Sequence, residues 1–169
     1  VATAVAVAEA VRAAGSQLAL VGVEGFEGLL QFREAGRRSA DAREFLRFLV
    51  SIAEALDGRG LFAAGSAGSA GAAGSAGAAG SAGLAGSAGE VLLSAGGSAF
   101  YDLVIEELSA ARLSRPARVV LRSGCYLTQD WGLYGELLAD LHQRCGSAEP
   151  DLEPALEVWT QVLSLPEPD

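Results

Sequence analysis

Two short stretches place glycine beside a small polar side chain at the end of an apolar run. They are Gly97–Ser98, after Val91–Leu92–Leu93–Ser94, and Gly124–Cys125, after Val119–Val120–Leu121. Glycine lets a ligand approach the backbone, and a sharp turn at a strand end leaves N–H groups pointing outward. A helix starting at such a turn adds positive potential, and the combination suits a phosphate. The same stretches also serve as ordinary helix caps and tight turns. Neither a GxGxxG fingerprint nor a P-loop accompanies them.

Other residues carry weaker signals. Glu24 and Glu27 lie three apart in a glycine-containing stretch, Glu24–Gly28. They read as solvated surface carboxylates in preference to a paired-carboxylate catalyst. Arg122 at a strand end is suited either to a bidentate grip on an anion or to a structural ion pair. Cys125 as a nucleophile requires a nearby base and is otherwise a small hydrophobe. Trp131 and Trp159 read as packing residues.

What is missing narrows the chemistry further. All 12 basic residues are arginines. A Schiff-base lysine, a phosphate-loop lysine and a lysine general base are therefore excluded within this chain. His142 is the single histidine, too few for a His-rich metal site. Cys125 and Cys145 form neither a CxxC pair nor a disulfide framework and read as reduced cytosolic thiols. The net charge of −9 opposes a nucleic-acid role, which needs a basic face. No run has the ~18 unbroken apolar residues of a membrane helix. The expected partner is a small molecule, with no nucleic acid and no membrane, in a cytoplasmic protein.

The elements that must position these residues alternate. Val1–Ala14 reads as a helix with Val5, Ala8, Val11 and Ala14 on one side, stopped by Gly15. The run Leu18–Val23 suits a strand buried on both faces. Ser39–Ala55 reads as a helix capped by Ser39 and Asp41, with Phe45, Leu46, Leu49, Ile52, Ala53 and Leu56 in one stripe. Residues 65–89 are a near-repeat of Gly, Ser and Ala that can build no core and reads as a linker. Beyond it come a strand at Val91–Ser94, a helix over Ala99–Leu113 and a strand at Val119–Leu121. A helix over Tyr134–Arg144 and a strand over Ala155–Leu163 follow. The alternation predicts parallel βα units in an α/β fold, either about half of a (β/α)8 barrel or a small doubly wound sheet. The predicted organisation is a first βα portion at 1–64, the linker at 65–89 and a later βα portion at 90–169. The apolar start at Val1, without Met, reads as the beginning of a piece cut from a longer protein.

VVLRSGCYLTQDWGLY resembles a segment of the D-serine deaminase/D-threonine aldolase-like enzymes, and most closely their bacterial amino acid deaminase branch. AVAVAEAVRAAGSQLALVGVEGFEG, VLLSAGGSAFYDLV and ALEVWTQVLSLPEP agree in order and spacing once the linker is set aside. The resemblance implies a barrel of the alanine-racemase N-terminal type and a pyridoxal 5′-phosphate cofactor. It further implies a lyase acting on D-amino or hydroxy-amino acids, in a parent protein expected to be a homodimer. Gly97 and Ser98 match the family's glycine–hydroxyl turn at the cofactor phosphate. Gly124 and Cys125 match the amide pair beside it, Tyr126 matches the aromatic that follows, and Phe26 falls near a tyrosine of relatives. Gln129–Asp130 stands where relatives read His-Asp. The family's Schiff-base lysine belongs before Val1 and its divalent-metal ligands beyond Asp169. The resemblance therefore implies a fragment that holds the phosphate and is inactive alone. The alternatives are a non-catalytic α/β module binding a phosphorylated ligand, or a truncated product without function.

Overall fold

The computed structural model describes residues 1–32, 34–63, 89–96, 99–122, 124, 132–146 and 153–161. The fold is mixed α/β. Its elements run α1 (Ala2–Ala13), β1 (Gly22–Glu24), α2 (Ala35–Asp57), β2 (Val91–Ala95), α3 (Tyr101–Ser109), β3 (Ala117–Leu121) and α4 (Leu133–Cys145). Single-turn 3-10 helices occupy Gly15–Gln17 and Gly28–Phe32. The three strands form a parallel sheet in chain order, β1-β2-β3.

The two faces of the sheet differ. Val91, Leu93 and Ala95 alternate with Leu92 and Ser94, as strand geometry requires, and the first three are fully buried. They share one core with Val5 and Ala8 of α1, Leu46, Leu49 and Ala53 of α2, Leu103, Val104 and Leu108 of α3, and Leu137 of α4. Each fully buried leucine there contributes roughly 2 kcal/mol. The opposite face lines a cavity of about 470 Å³ bordered by Leu20, Gly22, Leu92, Ser94, Val120 and Arg122, and none of its lining residues comes from a helix. Leu18–Val23 is consequently not buried on both faces: Leu18 and Val21 are exposed, and pairing as a strand starts only at Gly22.

Helix boundaries shift where side chains compete for the backbone or are claimed by tertiary partners. α2 begins at Ala35, with Glu34 at its N-cap, rather than at Ser39. Ser39 lies within the helix and its hydroxyl accepts from Arg144 Nη1 at 3.1 Å, so it caps nothing. α3 ends at Ser109, short of Leu113. The N–H groups of Arg112 and Ser114 donate to Glu54 Oε1 at 2.9 Å and Asp57 Oδ2 at 2.5 Å, and this diverts them from helical bonding. α4 covers the expected range and buries Leu137 and Leu141.

The expected strand at 155–163 is not formed in its described part. Residues 153–161 have no regular structure and are exposed throughout, with Trp159 90% exposed. Trp159 is therefore not a packing residue, because no described element covers it. Residues 64–88, which include all of the predicted linker but Gly89, lie outside the described residues along with Trp131. Among the described residues, no helix is long and apolar enough to cross a membrane.

Candidate functional site

Parallel pairing brings the carboxyl ends of all three strands to one edge of the sheet. Gly96, just past β2, and the end of β3 are neighbours there. The ideal Cβ position at Gly96 lies 3.2 Å from Leu121 Cδ2 and 3.5 Å from Arg122 N. Gly97, Ser98, Cys125, Tyr126, Gln129 and Asp130 lie outside the described residues. Gly124 is exposed, and a Cβ there would meet no described atom within 4 Å. Its N–H donates to Arg122 O at 3.1 Å.

Arg122 spans the edge. Its Nε donates to Ser94 Oγ at 2.9 Å, its Nη2 to Gly25 O at 2.8 Å, and its Nη1 lies 3.1 Å from Glu24 Oε1. Ser94 Oγ in turn donates to Val120 O at 3.1 Å, and Gly25 N–H to Ser94 O at 2.9 Å. One guanidinium thus ties the ends of β1, β2 and β3 together. Of the two roles open to Arg122, the structural ion pair is the one formed.

The two glutamates part company. Glu24 is a solvated carboxylate, as expected, paired with Arg122. Glu27 is not: it is 0% exposed, and its Oε2 accepts the Gly96 N–H at 3.1 Å. The surface reading of Glu27 fails because its carboxylate is held on the Gly96 amide, just past β2, instead of in solvent. Phe26 sits at the same edge, 61% exposed, with its ring lying over Gly28. Glu27 and Gly96 are the site residues that sequence reasoning missed. The positive φ of Gly96, +115°, was foreshadowed only by the Gly96–Gly97 doublet.

α3 starts a few residues beyond the β2 end, so its N-terminus belongs to the same edge. The cation present, Arg122, is already paired, and the Gly96 amide already serves Glu27. Among the described residues, no group of three or more His, Cys, Asp or Glu could hold a metal ion. No family model, no curated protein and no solved structure matches the chain.

Proposed function

We propose that this chain is the phosphate-holding portion of a pyridoxal-phosphate-dependent deaminase or aldolase, a lyase of D-amino or hydroxy-amino acids, built on part of a (β/α)8 barrel. The observation that carries the proposal is the winding. Three parallel strands follow in chain order, the core packs the helices on one face, and no described helix lines the cavity on the other. A doubly wound sheet reverses direction and covers both faces, whereas a barrel keeps its helices outside and turns the second face inward. In such folds ligands bind at the carboxyl ends of the strands, where both glycine turns emerge.

When bound, pyridoxal phosphate supplies the electron sink for carbanion chemistry. The chain's own task is narrower. Gly97, Ser98, Gly124 and Cys125 would hold the phosphate through backbone N–H groups and one hydroxyl, the Gly124 N–H giving up its bond to Arg122 O, with Tyr126 and Phe26 beside it. Arg122 ties together the three strand ends from which these turns leave. The amine that would link the cofactor, and any divalent metal, belong to other parts of the parent enzyme. A cytoplasmic location and a homodimeric parent belong to the same reading.

Titration with pyridoxal phosphate and with inorganic phosphate tests it. Gly124→Val should weaken binding of both by about tenfold, because the side chain blocks backbone approach. A Cβ there meets no described atom within 4 Å, so stability should survive. Cys125→Ala keeps its amide and should bind within about twofold of wild type. Loss of binding in Cys125→Ala but not in Gly124→Val would overturn the cradle. Pyridoxal phosphate binding no better than phosphate itself would favour the non-catalytic module.

A further inference from the structure

The cavity on the sheet face away from the core is built of unlike parts. Leu20, Leu92 and Val120 give it an apolar floor, while Glu24 and Arg122 border it where the strands end. Strand register explains the placement: Glu24, Ser94 and Val120 stand on one rung of the sheet and so share a face. The volume of about 470 Å³ falls within the roughly 300–1,000 Å³ of small-molecule sites.

The Glu24–Arg122 pair decides what the polar end can hold. Arg122 Nη1 lies 3.1 Å from Glu24 Oε1, and the two side chains remain 38% and 67% exposed. A guanidinium carries five N–H donors. Ser94, Gly25 and Glu24 engage at most three of them, which leaves donors for a ligand. The pair as a whole is neutral, so it offers little to a bare anion or a bare cation. A zwitterion is neutral as well, and its two charges can lie antiparallel to those of the pair. Arg122 is held on Ser94 Oγ and Gly25 O, so the pair is set before a ligand arrives.

We infer that this cavity binds a free α-amino acid with an apolar side chain. Arg122 takes the carboxylate, Glu24 the ammonium, and Leu20, Leu92 and Val120 the side chain. As the substrate site of a lyase the inference rests on the function proposed above, and it narrows the substrate from amino acids at large to apolar ones.

Calorimetric titration of the chain with D-leucine tests the site. D-Leucine should bind about tenfold more tightly than each of three relatives. D-Serine lacks the apolar side chain, isocaproate lacks the ammonium, and D-leucinamide lacks the carboxylate. Glu24→Gln removes the ammonium's partner at a position open to solvent. It should weaken D-leucine about tenfold and strengthen isocaproate, because the guanidinium then carries unbalanced charge. A purely structural Glu24 would leave that preference unmoved. Val120→Thr keeps the shape of the floor but adds a hydroxyl, and should weaken D-leucine about fivefold without changing D-serine. Equal binding of D-leucine and D-serine, or unchanged D-leucine binding in Glu24→Gln, overturns the site. Inorganic phosphate titrated into the same samples separates the two readings. Phosphate bound without D-leucine overturns the amino-acid site and keeps the cradle. D-Leucine bound without phosphate overturns the cradle and leaves an amino-acid-binding module.

Discussion

Glu107 brings a charge into the seam between α2 and α3 and is met there by two arginines. Arg47 Nε and Nη2 lie 2.9 and 3.0 Å from its oxygens, and Arg43 Nη1 lies 2.7 Å away. The Arg47 hydrogen bonds, and after them those of Arg43, hold the Glu107 carboxyl below its ordinary range against the opposing effect of burial. Glu106 is held down in the same direction by its hydrogen bond to Arg43. A carboxyl whose folded pKa is depressed contributes stability above its unfolded pKa, and that stability is lost as pH falls through the folded value. Glu107→Gln should therefore cost about 2 kcal/mol at neutral pH. It should also flatten the loss of stability on acidification, without abolishing it, because Glu106 remains. Urea unfolding at pH 7 and at about pH 3.5 reads both effects, and equal acid sensitivity in variant and wild type would refute the argument. At this scale the sequence is a poor guide. Glu24 and Glu27 share a glycine-rich neighbourhood, yet one is solvated and the other buried. The difference arises from the chain reversal at Phe26–Gly28, which has no periodic signature.

Elements were more legible, because their patterns state which side must be covered. Of the helical stripes, Val5, Ala8, Leu46, Leu49, Ala53 and Leu56 reach the core and Phe45 and Ile52 pack against it, whereas Val11 and Ala14 are half-buried outside it. The strands at β2 and β3 lie where the apolar runs end in glycine turns. Boundaries were less legible, since Ser39, Arg112 and Ser114 spend their polar groups on partners far along the chain. The alternation at Leu156, Glu157 and Val158 reads as a strand, but such a pattern needs a neighbour, and no described strand pairs with it. The β1–β2 pairing depends on a position with no side chain. At Gly22 a Cβ would fall on the Leu92 carbonyl oxygen and lie 2.8 Å from Leu92 Cβ. Backbone atoms of the partner strand cannot yield as a flexible side chain would. With β1 paired at only three residues, the strand has little to hold it against that clash. Gly22→Val should destabilise the protein by roughly 2 kcal/mol, measured as a lower urea midpoint. A midpoint equal to wild type would show that β1 is not closely seated on β2.

At the scale of the whole molecule, holding a cofactor and linking to it are separable tasks, and on the function proposed above this chain would perform only the first. The alternation of strands and helices made the parallel α/β winding readable in advance. Closure of the sheet was not readable, since what meets the uncovered face is decided by tertiary partners. The inventory of amines, in contrast, follows from the sequence with no folding argument at all. Lysine is absent, so no side chain supplies a primary amine; a polypeptide prepared from this sequence carries one at its α-amino group, on Val1, which stands half-exposed at the start of α1. Arginine does not substitute, because its guanidinium stays protonated and cannot act as the nucleophile. Incubation with pyridoxal phosphate followed by borohydride should therefore give phosphate-competed, reversible binding without a stoichiometric reduced adduct. Mass spectrometry of the digested chain should find weak labelling confined to Val1. Acetylating that amine should remove the label and leave the reversible binding unchanged, because the glycine turns and not Val1 are proposed to hold the phosphate. A full equivalent of label mapped to any other residue would refute the division of tasks. Binding that vanishes on acetylation would show that the amine, rather than the strand-end turns, had held the ligand.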